Sequence, residues 1–225
     1  MQPIVFLPGT LCDERLWHFQ QSAFPLSSVV NLRSQNTVEE MLQSIRAVPF
    51  ESFVLAGFSL GGYVAQEFAL SEPKRVTHLV LMGSSAMGYP DSERELFMKS
   101  RSLIESGLFK GITDRRLKEF LHPNAYAKPE LRALIHSMAG PDAAAVYLRQ
   151  VDATIHRPDL SERLKDLQCP LTAIGGMQDQ IVSFEEILAL KNYVPKANIQ
   201  ILEECGHFVP LEKPDEVNAI LSEII

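Results

Sequence analysis

Short apolar runs punctuate the chain at Ile4–Leu7, Val29–Leu32, Phe53–Ala56, Val76–Met82, Leu171–Ile174 and Asn198–Leu202. They are short, rich in β-branched residues and bounded by Gly, Pro, Asn or Ser, which predicts strands. Their near-continuous apolarity predicts burial on both faces, as in a parallel sheet. Between the runs, apolar positions recur with helical spacing. Thr37, with Glu40 three residues on, predicts the start of a helix reaching about Val48. Leu60–Leu70 reads as a second helix, Ser183–Tyr193 as a third with Ser183 and Glu186 as its capping box, and Asp215–Ile225 as the last, behind Pro214. This alternation predicts an α/β fold: a doubly wound, mainly parallel sheet of six strands.

The alternation breaks once. Residues 86–167 contain no strand pattern, only helical periodicity over Ser92–Ser106, Asp114–Leu121, Pro129–Met138 and Pro141–Thr154. That is too long for a single crossover. It predicts a helical cap, or lid, at 86–167 inserted into a core made of 1–85 and 168–225. Charge supports the division. Against 21 Lys and Arg stand 28 Asp and Glu, a net charge of −7, yet residues 86–168 alone sum to +1 and the remainder to −8. An acidic surface without a basic stripe excludes nucleic acid as a natural partner. No apolar run approaches the ~20 residues that span a bilayer. The start, Met1-Gln2-Pro3, carries no basic region of a signal peptide, so the expected location is cytoplasmic. Cys12, Cys169 and Cys205 are scattered and odd in number. They predict neither a disulfide framework nor a zinc site, and no metal or cofactor is expected.

Candidate chemistry sits at predicted strand ends. Gly57-Phe58-Ser59-Leu60-Gly61 lies between a predicted strand and a predicted helix. A serine on such a turn needs an unusual backbone angle, and the flanking glycines let strand and helix approach. The turn would lift the Ser59 hydroxyl above the carboxyl edge of the sheet and aim the Leu60 N–H at a reacting carbonyl. A serine nucleophile needs a base, and the base an orienting acid. Of the six histidines, His207 follows the last predicted strand, in Gly206-His207-Phe208-Val209-Pro210. His78 lies inside an apolar strand and reads as a core residue; His18, His122, His136 and His156 read as solvated, with His136 and His156 on the cap left open as substrate contacts. Asp179 follows a strand and a glycine pair in Gly175-Gly176-Met177-Gln178-Asp179. After the first strand, Pro8-Gly9-Thr10 turns tightly, which would give the Thr10 N–H as a partner to that of Leu60 in an oxyanion hole.

The order Ser59, Asp179, His207, with the motifs around them, resembles the α/β-hydrolase superfamily, in particular its compact branch of esterases, enol-lactonases and related lyases. The resemblance implies Ser59 as nucleophile, Asp179 as acid, His207 as base and Thr10 as the first oxyanion donor. Two departures stand out. Pro8-Gly9 replaces the usual His-Gly, and the chain begins at what resembles the third strand, so the N-terminal hairpin is expected to be missing. Arg149 and Arg157, near the end of the cap, could meet a substrate carboxylate but read more readily as structural salt bridges. The expected activity is cleavage of a small-molecule carboxylic ester or thioester through an acyl-enzyme, with the cap setting substrate choice. The alternatives are a carbon–carbon or carbon–oxygen lyase using the same triad as a base, or a non-catalytic ligand receptor.

Overall fold

A computed structural model describes residues 2–109 and 111–225. Its six strands are β1 (Ile4–Leu7), β2 (Ser27–Val29), β3 (Phe53–Phe58), β4 (Val76–Met82), β5 (Leu171–Gly176) and β6 (Asn198–Leu202). They form one sheet in the order β2-β1-β3-β4-β5-β6, and every neighbouring pair is parallel. Strands β1, β3 and β5 are buried along their whole length, and β4 all but Thr77 and His78, which is why their sequences read as nearly continuous apolar runs. Their side chains still alternate between two cores. Val5, Leu7, Phe53, Leu55, Leu79 and Leu81 enter one cluster, while Ile4, Phe6, Val54, Ala56, Val80 and Met82 enter the other.

From β1 the chain moves outward to β2. It then returns, and from β3 it moves outward in the opposite direction. The carboxyl ends of β1 and β3, paired side by side with Leu7 opposite Gly57, therefore flank the point where the winding reverses. Crevices at such points bind ligands, because the connections leave in opposite directions and cannot fill the gap.

Three local expectations shift. The predicted strand at Val29–Leu32 is observed at Ser27–Val29. Val30 and Leu32 remain buried, and the Val30 N–H still donates to the Phe6 carbonyl at 3.0 Å, but past it the chain leaves the ladder, with the Leu32 and Arg33 carbonyls accepting hydrogen bonds from Gln150 and Arg149. The helix predicted over Ser183–Tyr193 is α-helical at Phe184–Ala189 and tightens to a 3₁₀ turn at Leu190–Asn192; the Ser183 hydroxyl caps it as expected. Residues 14–23 form a 3₁₀ turn and a short helix that the pattern did not announce. Leu16, Trp17 and Gln20 are buried there while Phe19 is exposed, so no clean apolar stripe marks the segment.

Between β4 and β5 lie helices Asp91–Glu105, Asp114–Phe120, Pro123–Tyr126, Pro129–Ala139 and Ala143–Thr154. Four match the predicted helices to within two residues at each end; the turn at Pro123–Tyr126 is additional. Among the described residues no helix is long and apolar enough to cross a membrane.

Candidate active site

The turn from β3 into helix Leu60–Ser71 is compact. Ser59 has φ 52° and ψ −116°, a conformation that disfavours any side chain by about 1–3 kcal/mol. The surroundings hold it. The Ser59 N–H donates to the Met82 carbonyl at 2.9 Å, and the Ser84 hydroxyl donates to the Ser59 carbonyl at 2.9 Å. A β-carbon on Gly57 would lie 2.4 Å from the Gly61 carbonyl oxygen, and one on Gly61 would lie 2.3 Å from that of Leu7. Only glycine fits at either position, and these are the two glycines of the motif.

His207 and Asp179 arrive from the loops after β6 and β5. The His207 Nδ1 lies 2.8 Å from Asp179 Oδ2, and its Nε2 lies 3.1 Å from the Ser59 hydroxyl. The other Asp179 oxygen accepts the Ile181 and Val182 N–H groups at 2.8 and 3.1 Å. An ionised carboxylate only accepts, so Nδ1 carries the imidazole proton and Nε2 is free to accept from Ser59. Both side chains are almost wholly buried, whereas Ser59 is half-buried. The rings of Phe58 and Phe120 stand 4.9 and 5.8 Å from the imidazole and restrict its rotation. The geometry joins the three residues that the sequence pointed to from three separate strand ends.

After β1, Gly9-Thr10-Leu11-Cys12 makes a turn closed by the Cys12 N–H donating to the Gly9 carbonyl at 3.1 Å. A β-carbon on Gly9 would stand 3.2 Å from that of Ser59, so this backbone lies directly against the serine. Among the described residues neither the Thr10 nor the Leu60 N–H donates to a protein acceptor.

This arrangement matches a known family. The family model described as "Alpha/beta hydrolase family" matches residues 4–220. The chain belongs to the alpha/beta hydrolase family. A 2-hydroxy-6-oxononadienedioate/2-hydroxy-6-oxononatrienedioate hydrolase of Paraburkholderia phymatum is 29% identical over 178 residues, 76% of this chain and 61% of the relative. The chain thus spans less than two thirds of that relative's length. Among solved structures, a thermophilic esterase from Thermogutta terrifontis superposes with a TM-score of 0.90 at 21% identity, covering 100% of this chain and 89% of that one. The enol-lactonase from Burkholderia xenovorans LB400 gives 0.87 at 16% identity, covering 99% and 91%. These likenesses establish the fold.

Other residues of the chain occupy places the sequence left open. Arg149 donates through Nε to the Arg33 carbonyl at 2.9 Å, and Arg157 lies over the rings of Tyr63 and Tyr89 at 4.6 and 3.7 Å. Neither forms an ion pair among the described residues, so the expected salt bridges are replaced by a backbone hydrogen bond and aromatic stacking. His78 reaches the Thr172 hydroxyl at 2.9 Å inside the sheet. His18, His136 and His156 are exposed, and His122 accepts the Asn124 N–H as a helix cap. No group of three or more His, Cys, Asp or Glu among the described residues is arranged to hold a metal ion.

Glu212 had no assigned part, although it directly follows the apolar run Phe208–Leu211 after His207. It is buried, and its two oxygens accept the N–H groups of Gly206, Phe208 and His122 at 3.0, 2.9 and 2.9 Å. Burial raises its pKa above the usual carboxylate value, partly offset by these donors. The His207 N–H in turn donates to the Phe120 carbonyl at 2.6 Å. The loop carrying the histidine is therefore fastened to residues 120–122 by its own backbone and by one carboxylate.

Proposed function

We propose that this hydrolase cleaves a small-molecule carboxylic ester or thioester through an acyl-enzyme. The observation that carries the reading is the position of the His207 imidazole, between Asp179 at 2.8 Å and Ser59 at 3.1 Å. Both distances lie within the reach required for proton transfer. Ser59 Oγ attacks the acyl carbon as His207 Nε2 takes its proton. Asp179 keeps the imidazole oriented and stabilises its cationic form. The carbonyl π electrons move to oxygen, and the Thr10 and Leu60 N–H groups receive the oxyanion. Collapse of the tetrahedral intermediate expels the alkoxide or thiolate, protonated by His207. Water, deprotonated by the same histidine, then attacks the acyl-enzyme and releases the acid. Losing one oxyanion donor costs about 2.7–4 kcal/mol of barrier. No step draws on a metal or organic cofactor. Residues 86–167 act as the cap over this site and shape substrate choice.

A second reading has its own support. The Paraburkholderia relative is named for hydrolysis of an oxo-diacid, and the same residues could direct water at a ketone carbonyl in such a compound. One experiment addresses both. Purified protein is incubated with a serine-directed fluorophosphonate and assayed on p-nitrophenyl esters, acyl thioesters and a 2-hydroxy-6-oxo-dienedioate. The expected result is a single adduct lost in Ser59→Ala, with turnover of esters or thioesters. No adduct on folded protein overturns the nucleophile, and turnover of the oxo-diacid alone replaces the ester reading with the second.

A further inference from the structure

The turn after β1 contains Leu11 at φ 58°, in the left-handed region that a leucine avoids. With the Cys12 N–H closing onto the Gly9 carbonyl, a positive φ at the third residue is the mark of a type II turn. The type I alternative would spare Leu11 its strain by flipping the Thr10–Leu11 peptide. It would also reverse the directions of the Leu11 N–H and the Thr10 carbonyl. Two side chains oppose that flip; the Cys12 thiol donates weakly to the Thr10 carbonyl at 3.5 Å, and the stronger hold is on the Leu11 N–H. Gln150, from helix Ala143–Thr154, is 1% exposed, and its Oε1 accepts the Leu11 N–H at 3.0 Å. Its Nε2 donates to the Leu32 carbonyl at 2.9 Å. Both partners are backbone groups on the core side, more than a hundred residues away in sequence, and together they leave the amide a single orientation. A second contact fixes the helix that delivers it: Arg33 donates to the Met138 and Ala139 carbonyls and pairs with Asp142, just before that helix.

We infer that Gln150 is a positioning residue for the oxyanion turn: it anchors the Thr10–Leu11 peptide and so holds in place the whole turn, including the adjoining Gly9–Thr10 peptide whose N–H faces the oxygen developing at Ser59. The inference rests on the serine-hydrolase reading and extends it. The helical segment then contributes to the chemistry through the core backbone, in addition to covering the site. A hole held in place acts on the oxyanion and hardly at all on the bound ester, so its loss falls on kcat and leaves KM in place.

The test compares wild type with Gln150→Met, which keeps length and burial but makes neither hydrogen bond. A fluorophosphonate adduct and binding of an aryl trifluoromethyl ketone by the wild type check the underlying reading independently of Gln150; failure of both in the wild type removes that reading. Given both, Gln150→Met is expected to lower kcat by about 10- to 100-fold, with KM within about twofold, because small misplacements of catalytic groups have effects of this size. Affinity for the trifluoromethyl ketone, whose tetrahedral adduct places an oxyanion in the hole, should fall by the same factor. In a Leu11→Gly background, where positive φ carries no strain, the same substitution should cost several-fold less. Gln150→Glu carries the test should the methionine variant not fold: it keeps an acceptor for Leu11, so its loss should be smaller but again confined to kcat. Undiminished kcat and ketone affinity in a folded variant overturn the inference. So does a loss in kcat/KM that appears wholly in KM, or one as large with Leu11→Gly as without it.

Discussion

The two halves of the segment between β4 and β5 are both helical and do opposite things. Helix Asp91–Glu105 has no buried residue; Leu96, Met98 and Leu103 are all exposed. Arg94 with Asp91 and Arg101 with Glu105 are ion pairs within the helix; outward, Arg101 also meets Asp152 and Phe97 stands edge-on to Tyr89 at 4.8 Å, and such exposed ion pairs each contribute little. Residues 114–139 are continuous with the core. Leu117, Leu121, Leu131, Ile135 and Met138 pack in one cluster with Phe6, Trp17, Val54 and Met82 of the sheet side. Their backbone also fastens the His207 loop at Phe120 and, through Glu212, at His122. A uniform cover over the site would treat both halves alike. The difference teaches that the second half is built into the core and fastened to the His207 loop, while the first half lies outside both; on the proposed function, only the first half is then free to vary with substrate.

The sheet edge sets the scale for breaking this comparison. Asp179→Asn should lower kcat on the order of 10⁴-fold with little change in melting temperature, because the asparagine amide favours the wrong imidazole tautomer. Turnover near wild type would assign the acid elsewhere. Next in size is the clasp on the second half. Glu212→Gln should lower kcat by about 10- to 100-fold, since one of its three N–H partners then faces an NH₂ group and the His207 loop loosens.

That variant also has a signed dependence on pH. The folded-state pKa of Glu212 is raised above 4.5, so between 4.5 and the raised value the folded protein binds more protons than the unfolded chain. Wild type should therefore lose stability relative to Glu212→Gln as pH rises through that window, then level off. Urea titrations of both proteins across it check the sign, and the opposite slope would mean that the three donors outweigh burial.

Ile135→Ala tests packing in the second half without touching a polar group. Its side chain is fully buried, and the substitution should cost about 2–5 kcal/mol, read as a lower urea midpoint at constant slope. The smallest effect belongs to the first half. Leu96→Ala and Leu103→Ala should each change stability by less than about 0.5 kcal/mol. Their kcat/KM profiles across an acyl chain-length series should shift by less than about 10-fold. Losses near those of Ile135→Ala would dissolve the contrast between the halves.

Periodicity and turn chemistry carry most of the frame. Apolar runs located β1, β3, β4 and β5 because strands buried on both faces have little freedom to be polar, whereas the half-buried edge strands admit Ser27, Ser28, Asn198 and Gln200, and the run at Val29–Leu32 meets β2 only at Val29. Ser59 was legible because the elbow is local: its strain and its two tight glycines lie within five residues. His207 and Asp179 were legible because chain order and strand ends bring them to one edge. What sequence alone left undecided depends on partners far along the chain. Beyond Val30 the chain leaves the ladder, and helix Ala143–Thr154 takes the Leu32 and Arg33 carbonyls. Nothing in the sequence marks Glu212 or Gln150, because their partners are backbone N–H and C=O groups whose directions no side-chain pattern encodes. The division of the helical segment was hidden for a related reason. Helices Asp91–Glu105 and Pro129–Ala139 both carry apolar residues at helical spacing, and only the packed structure decides which apolar face meets the core and which meets water.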